Sequence, residues 1–414
     1  MSSRVVSYHI LAIMLAAMAM LGPFAIDTYL PAFPNIIAGL HATTLEVQQT
    51  LTVYMLAFAA MILWHGALSD SFGRRNIVLG SLALFALASL GCASAHSVTY
   101  LWAFRIVQGM SAGAGVVIGR AIIRDLYAGS SAARLLSLVT MIFSIAPAIA
   151  PILGGWIVKL FDWREIFLFL FFYSMWLLWF CFRNLPETLP PEKRQPFYPR
   201  TLAHSYHQVF RSPLFHLTAG AVAFNFAGLF VYVAAAPVFL TEQLHLGPDQ
   251  FAWQFVPSVG GIFLGALAAN RLAGRMRVQL QLMVGFAFLV GASVANVLYH
   301  AFFPPAIPWS VAPLFFYTFG MSLVAPGATL MVLDLFPAIR GIVASCQSFT
   351  LTMLGALMSG VIAPMVSHNA LWLASAQLAC ALIGLLCWLA SRSYRSLQAR
   401  RSPDAWEALG NSVD

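Results

Sequence analysis

Twelve apolar segments, each long enough to cross a lipid bilayer, constrain this chain more than any other feature of its sequence. A helix needs roughly 20 apolar residues to cross about 30 Å of hydrocarbon. The segments lie approximately at residues 8–36, 46–68, 77–95, 98–119, 135–158, 164–183, 214–240, 250–270, 278–299, 309–331, 341–363 and 370–391. Because 60% of the 414 residues are hydrophobic and only 9% are charged, the chain has too little polar surface for a soluble globule of this size. The sequence therefore predicts an all-α integral membrane protein.

The distribution of basic residues predicts how these segments are oriented. All but three of the 22 lysines and arginines fall on the side of the membrane that holds the amino terminus. They are Arg4, Arg74, Arg75, Arg120, Arg124, Arg134, Arg183, Lys193, Arg194, Arg200, Arg211, Arg271, Arg275, Arg277, Arg340, Arg392, Arg395, Arg400 and Arg401. Because basic residues concentrate on the cytoplasmic side of membrane proteins, we expect both termini to be cytoplasmic. The same asymmetry accounts for the net charge of +8 without nucleic-acid binding.

A Pro-rich, basic stretch divides the chain into two similar halves. Residues 1–183 form the expected N-terminal six-helix bundle, 184–213 a cytoplasmic linker, and 214–414 a C-terminal six-helix bundle with a basic cytoplasmic tail. The loop after the second segment reads GALSDSFGRR and the loop after the eighth reads GALAANRLAGR. Parallel halves of this kind are typical of a two-bundle transporter.

One acidic residue, Asp27, lies within an otherwise apolar, membrane-length segment. A carboxylate there must be hydrated, paired or protonated, because burial of the bare ion costs several kcal/mol or more. At about 1.5 Å per residue, Asp27 lies roughly 25 Å from the inner surface and Arg105 about 5 to 10 Å below the outer surface, so their depths are similar. We expect Asp27 to carry a proton and Arg105 to face the same cavity and favour the ionised carboxylate.

Five stretches resemble the drug:proton antiporters of the major facilitator superfamily. The first, GALSDSFGRR at 66–75, is similar to the superfamily signature GxLxDRxGRR, with Ser71 in the place of an arginine. The second, RIVQG at 105–109, is similar to the RxxQG element of the fourth helix. The other three, DTYLPAFP at 27–34, GRAIIRD at 119–125 and APILGGW at 150–156, resemble the bicyclomycin/chloramphenicol resistance (Bcr/CflA) branch.

The resemblance implies a fold of twelve transmembrane helices in two six-helix bundles and a proton-coupled exporter of small lipophilic drugs or metabolites. It implies a multi-pass protein of the bacterial inner membrane that exchanges substrate for protons by alternating access. Its partners are a small molecule, protons and the bilayer, its energy source is the proton gradient, and no cofactor or metal is implied. We expect a monomer.

The fifth segment also resembles the antiporter motif GxxxGPxxGG of exporters. Pro151 and the pair Gly154 and Gly155 match it, whereas the other two glycines of the motif are absent here. Two prolines four residues apart remove helix hydrogen bonds and bend a segment, and paired glycines admit a close helix crossing. We therefore assign Pro147, Pro151, Gly154 and Gly155 to helix kinking and packing.

The resemblance also suggests residues that contact substrate. Helices one, four, seven and ten line the cavity in the superfamily. Tyr29, Asn225, Tyr232 and Tyr317 lie on the first, seventh and tenth of these segments and are the candidates for substrate binding. Aromatic residues at such spacings are more often lipid-facing or core residues.

We interpret the loop after the second segment as a conformational latch. It concentrates Asp70, Arg74 and Arg75 beside helices that must separate when the cavity opens inward. We expect Arg74 or Arg75 to contact Asp125, and Asp70 to contact the start of the eleventh helix near Gly341, where free backbone donors favour an anion. These contacts would hold the outward-open state and break in the inward-open state.

Two other functions compete with export. An uptake symporter or facilitator on the same fold would differ in which gradient accumulates substrate. An intramembrane enzyme would need clustered ligands or a nucleophile with its base. The sequence contains no HExxH and no paired intramembrane carboxylates, so we expect a transporter and not an enzyme.

Overall fold

The structure is a computed structural model that describes residues 7–401, with only the backbone described for Ala133 and for 397–401. Arg4, the side chains of Arg400 and Arg401, and the tail after Arg401 lie outside the described residues. Twelve helical spans are long and apolar enough to cross a membrane. They are Tyr8–Leu40, Thr44–Phe72, Arg74–Ala93, Val98–Leu126, Gly129–Leu160, Arg164–Asn184, Pro213–Gln243, Pro248–Leu272, Val278–Phe302, Ala312–Leu333, Pro337–Val366 and Ala370–Ser396. They are called spans 1 to 12 below.

Several spans contain more than one helix. The α-helices are Tyr8–Asp27, Phe33–Leu40, Thr44–Phe72, Arg74–Ala93, Val98–Ala112, Ala114–Leu126, Gly129–Phe143, Ala146–Leu160, Arg164–Asn184, Pro199–Phe210, Pro213–Val238, Ala252–Leu272, Val278–Phe302, Ala312–Leu333, Arg340–Leu357, Ala363–Val366 and Ala370–Arg401. The helix Pro199–Phe210 belongs to the linker and is called the linker helix. No strand occurs in the stretch from 7 to 401.

The spans pack as two bundles of six. In the first, span 2 packs on span 4 and span 3 packs on spans 4 and 6. In the second, span 7 packs on span 12, and span 10 packs on spans 8 and 9. The predicted fold class, twelve membrane helices in two six-helix bundles, is confirmed.

Alternation of the spans defines two faces of the molecule. We call the face that carries the linker the linker face, and the opposite one the far face. The linker follows span 6, which ends at Asn184, and precedes span 7, which begins at Pro213. The loops after spans 2, 4, 8 and 10 lie on the linker face as well.

The two halves close against each other at the far face. In spans 2 and 11, Nε2 of Gln49 donates to the backbone oxygen of Gly360 at 2.8 Å. In spans 5 and 8, Lys159 forms a salt bridge of 2.8 Å with Asp249. A Cβ on Gly155 would clash with the backbone oxygen of Pro248, so only glycine allows this approach. Cross-half contacts therefore seal the far face in this conformation.

Local sequence signals position the start of span 2. Thr43 accepts from the backbone N–H of Glu46, and the Glu46 carboxylate accepts from the backbone N–H of Thr43. This reciprocal capping box satisfies two of the free donors at a helix start. Span 1 is interrupted differently: its first helix ends at Asp27, and the turn Leu30–Ala32 separates it from the next helix. The acidic residue therefore lies at a break in its span.

Candidate functional site

Arg105 is completely buried although it carries a permanent charge. It is 0% exposed, on the far-face half of span 4. Its Nη1 donates to the backbone oxygen of Ala25 at 3.0 Å and to Oε1 of Gln108 at 2.6 Å. Its Nε and Nη2 have no hydrogen-bond partner within residues 7–401. Three N–H groups of a buried cation, one on Nε and two on Nη2, are thus available to a proton-carrying group or a ligand.

Two tyrosine rings cover the Arg105 guanidinium. Its Cζ lies 4.3 Å from the ring centroid of Tyr54 and 4.9 Å from that of Tyr29. The Tyr29 hydroxyl is hydrogen-bonded to Oγ1 of Thr50 at 2.8 Å, which fixes one ring. A desolvated cation over an aromatic face gains about 2 kcal/mol or more. The rings therefore offset part of the cost of burying the charge.

Gln108 holds the Arg105 side chain from the other direction. Its Oε1 accepts from Arg105, and its Nε2 donates to Oγ of Ser89 in span 3 at 2.9 Å. Because both ends of the amide are used, the guanidinium has one favoured position. The RIVQG motif contains Gln108, but no role for this residue was predicted from the sequence. Its spacing of three residues from Arg105 on a helix places the two side chains next to each other.

Asp27 is nearly buried and lies close to this cluster without an ion pair. It is 6% exposed. No carboxylate oxygen of Asp27 lies within 4.0 Å of an Arg105 nitrogen, among the salt bridges of the described chain. The Arg105 guanidinium lies over the Tyr54 ring and donates to the backbone oxygen of Ala25, two residues before Asp27. The structure thus brings Asp27, Tyr54 and Arg105 together, while the direct influence of Arg105 on the Asp27 charge stays a prediction.

The four residues expected to contact substrate are all buried between helices. Tyr29, Asn225, Tyr232 and Tyr317 are 0%, 1%, 0% and 0% exposed. The Tyr317 hydroxyl donates to the backbone oxygen of Asn225 at 2.9 Å, and Tyr29 contacts Arg105 as described above. In this conformation none of the four reaches open space, so direct substrate contact stays a prediction.

The C-terminal half contains a second polar cluster, which the sequence did not predict. Nδ2 of Asn296 in span 9 donates to the Tyr232 hydroxyl at 2.7 Å and to Oε1 of Gln377 in span 12 at 3.2 Å. Nε2 of Gln254 in span 8 donates to the backbone oxygen of Tyr232 at 2.9 Å. All of these groups are uncharged. The four residues come from four separate helices. Their positions in the sequence carry no information on which helices contact each other.

Arg74 is the centre of the predicted latch. Its Nη1 lies 2.5 Å from Oδ1 of Asp70 and 2.6 Å from Oγ of Ser69, and its Nε donates to Oδ2 of Asp125 at 3.1 Å. Arg75 instead donates to the backbone oxygen of Phe182 at 2.8 Å. Of the two arginines named as alternatives, the structure selects Arg74 as the partner of Asp125.

One expectation about the latch needs correction and another stays a prediction. The Asp70 carboxylate binds Arg74 here, and Asp70 lines the same pocket of about 340 Å³ as Gly341 of span 11. Because the far face is closed in this structure, a contact between Asp70 and span 11 in the outward-open state stays a prediction. We expected the Arg74–Asp125 contact to be lost once the outer side closes. It is intact in a structure whose far face is closed, because both residues belong to the same half.

The linker braces this loop, which the sequence did not reveal. Oε1 of Glu187 accepts from the backbone N–H of Arg74 at 3.0 Å, and the Thr188 hydroxyl donates to Asp125 at 2.9 Å. Farther along, the Tyr206 hydroxyl of the linker helix donates to the backbone oxygen of Leu63 in span 2. The linker is therefore attached to the first half at both of its ends.

Span 5 is interrupted one turn earlier than its prolines suggest. Its first helix ends at Phe143 and the next begins at Ala146, so Pro147 lies in the first turn of a new helix, where proline is well tolerated. Pro151 lies inside that helix. A Cβ on Gly154 would clash with the backbone oxygen of Thr28, which brings span 5 directly against the break in span 1 after Asp27.

Comparison with known sequences identifies similar proteins over most of the chain. A model of the Major Facilitator Superfamily matches residues 15–360. The Bicyclomycin resistance protein homolog of Haemophilus influenzae is 29% identical, over 94% of this chain and 98% of that protein. The transporter YdgK of Bacillus subtilis is 31% identical over 87% and 89%, and Multidrug resistance protein D of Escherichia coli is 27% identical over 92% and 95%.

Solved structures share the fold at low sequence identity. A D-xylose-proton symporter superposes with a TM-score of 0.68 at 15% identity, over 91% of this chain and 97% of that one. A bacterial homolog of the human lysosomal transporter Spinster, in an inward-facing and unoccupied conformation, superposes with a TM-score of 0.67 at 14% identity, over 95% and 99%.

Proposed function

This chain belongs to the major facilitator superfamily, and from that premise we propose that it is a proton-coupled exporter of small lipophilic compounds. The observation that supports this most strongly is that one nearly buried acid, Asp27, and a fully buried arginine, Arg105, lie in the interior of the same half. The names of two similar proteins, a bicyclomycin resistance homolog and a multidrug resistance protein, favour drugs or related metabolites as substrates.

In the proposed mechanism Asp27 carries the coupling proton. A bare carboxylate at this position has no salt bridge to offset its desolvation, so Asp27 is protonated while the far face is closed. When substrate binds near the Arg105 cluster, Asp27 loses its proton. The resulting Asp27 carboxylate accepts hydrogen bonds from the free Nε and Nη2 donors of Arg105. Proton and substrate then occupy the site alternately.

Alternating access follows from the seal at the far face. Opening that face separates Lys159 from Asp249 and Gln49 from Gly360. The bundles, 1–183 and 214–414, then rock about the site while the linker 184–213 joins them. We assign the linker face and both termini to the cytoplasm, because the basic residues concentrate there. A single chain contains the whole site, which favours a monomer.

Drug-dependent proton movement in proteoliposomes tests the proposal. Asp27→Asn cannot exchange a proton, so we expect that the drug no longer moves protons, while drug binding and drug exchange persist. The matched control is Asp334→Asn, which removes an exposed acid paired with Arg340 on the linker face.

Normal drug-dependent proton movement in folded Asp27→Asn would contradict the assignment. The direction of transport is measured in membrane vesicles of known orientation. Accumulation of drug in inside-out vesicles, driven by protons that leave the acidic vesicle interior toward the original cytoplasmic side, indicates export. Accumulation in right-side-out vesicles would indicate an uptake symporter instead.

A further inference from the structure

Two arginines on the linker-face half of span 4 have no acidic partner. Arg120 and Arg124 are one turn apart on the helix Ala114–Leu126, and both are exposed. Neither takes part in a salt bridge within the described chain. The acids nearest in sequence and space, Asp70 and Asp125, are both bound by Arg74. Two neighbouring positive charges are therefore uncompensated.

The packing of this helix shows which way Arg120 points. Gly115 faces span 1, where a Cβ would clash with the backbone oxygen of Met18. Val117 faces span 2, where it lies against Gly66. At 3.6 residues per turn, Arg120 lies about 60° from Val117, on the side of the helix where Gly119 also packs on Leu15 of span 1, so it falls between the contacts with the two spans. Spans 1 and 2 both pack against the other half, so this arc faces the space between the halves.

The surroundings of the two arginines agree with this direction. Arg120 is exposed and lies one helical turn before Arg124 on the same helix. Arg124 lines the 340 Å³ pocket together with Gly341 and Ser345 of span 11. Both side chains therefore border the cleft between the halves on the linker face.

The opposite wall supplies no free negative charge. Within spans 7 to 12 and their loops the acids are Glu242, Asp249 and Asp334. Each is already bonded to a basic or histidine side chain, and the first two lie at the far face. Arg105, about 22 Å along span 4 from Arg120, adds a third cation deeper in the same half. A cleft with a net positive charge and low-dielectric walls concentrates ligands of the opposite sign.

We propose that Arg120 and Arg124 bind the acidic group of the substrate at the linker-face mouth of the cleft, before the substrate reaches the Arg105 cluster, so that the protein exports small lipophilic organic anions such as carboxylates, sulfonates or phenolates. This inference rests on the export function proposed above and specifies its substrate class. The guanidinium fork suits a planar or tetrahedral oxyanion, while the apolar body of the substrate lies among the helices. Exchange of one proton inward for one anion outward moves two positive charges inward, so the membrane potential favours this cargo over a neutral or cationic one.

Two dyes of one ring system and opposite charge test the proposal. We would measure transport of fluorescein, an anion, and rhodamine 123, a cation, by the full chain in proteoliposomes with an imposed proton gradient. For wild type we expect proton-coupled transport of fluorescein in preference to rhodamine 123. In the double variant Arg120→Gln, Arg124→Gln we expect fluorescein transport to fall by roughly tenfold or more, as loss of hydrogen bonds to a charged group implies.

Two further variants separate binding from folding. Arg120→Lys keeps the positive charge, so we expect its fluorescein transport to lie between that of wild type and that of the double variant. Arg392→Gln removes a charge from the same face, on span 12, which packs within its own half, and should leave transport unchanged. Unchanged fluorescein transport in the double variant would overturn the proposal. Proton-coupled transport of rhodamine 123 but not of fluorescein by wild type would overturn it as well and leave the export function standing. If neither dye moves and no drug drives protons, the export function fails and this inference with it.

Discussion

The two halves have the same six-helix architecture but hold different polar chemistry in their interiors. The N-terminal half buries the charged Arg105 beside the nearly buried Asp27. The C-terminal half buries a neutral network in which Asn296 joins Tyr232 and Gln377. A neutral network holds helices together without binding a proton, whereas a buried acid near a buried cation can change its charge. This difference is why we propose that proton coupling belongs to the first half and that the polar network of the second half serves helix packing.

The loops on the linker face differ in the same way. The loop after span 2 provides Asp70, which is bonded to Arg74. The equivalent loop after span 8 has Asn270 in that position. An uncharged residue there cannot form the ion pair that braces the first loop. The charged network of the linker face therefore belongs mainly to the N-terminal half and to the linker.

Removal of the buried arginine is expected to have the largest effect. Arg105→Gln leaves the Ala25 oxygen and Gln108 without their donor and removes the cation between two tyrosine rings. We expect transport to fall by roughly ten- to a hundredfold, as loss of charged hydrogen bonds implies. Arg105→Lys should be intermediate, because it keeps the charge but loses the planar fork.

The matched control is Arg164→Gln. Arg164 also lies over an aromatic ring, 4.3 Å from the centroid of Trp163, but at the far-face surface. We expect nearly normal transport in this variant. Wild-type transport rates in Arg105→Gln would remove the basis for distinguishing the two halves.

A smaller effect is expected in the loop after span 2. Asp70→Asn removes the partially exposed pair with Arg74, while Arg74 keeps Asp125 and Ser69. Such a pair contributes about 1 kcal/mol or less, so we expect turnover to fall by a factor of up to about five with drug affinity unchanged. Turnover and binding are measured separately in the same vesicles. Loss of drug affinity at normal turnover would place Asp70 in the substrate site.

The smallest effect on coupling is expected in the C-terminal half. Asn296→Leu leaves the Tyr232 hydroxyl and Gln377 without their donor, which in a membrane protein costs about 1 kcal/mol of stability. We expect a lower thermal unfolding midpoint but an unchanged number of protons per drug transported. A folded Asn296→Leu protein that transports drug without protons would show that the second half takes part in proton transfer.

The sequence predicted the fold well because the bilayer leaves few alternatives. Each span must satisfy its backbone hydrogen bonds internally, so a long apolar segment is a helix almost regardless of its detailed sequence. Span boundaries agree within a few residues where charged or capping residues mark them, as at Thr44 and Phe72. The first span was expected to end at residue 36 and continues to Leu40, because the break at Asp27 does not end it.

The candidate site was predictable only in part. Asp27 and Arg105 could be identified from the sequence because burial of a charge in an apolar membrane segment is energetically costly and usually indicates a function. Tyr54 and Ser89, which position the arginine, come from other helices and carry no sequence signal of that contact. Tyr232 illustrates the limit most clearly: span 7 is buried nearly all round, so no periodicity distinguishes a residue that faces a cavity from one that faces another helix.

Proton release on drug binding tests most directly whether Asp27 is the site that proton and substrate share. Calorimetric titration of the purified protein in two buffers of different ionisation enthalpy measures the number of protons released per drug bound. We expect wild type to release a proton and Asp27→Asn to bind the drug without releasing one. Equal proton release by wild type and Asp27→Asn would contradict the assignment of coupling to the N-terminal half through Asp27.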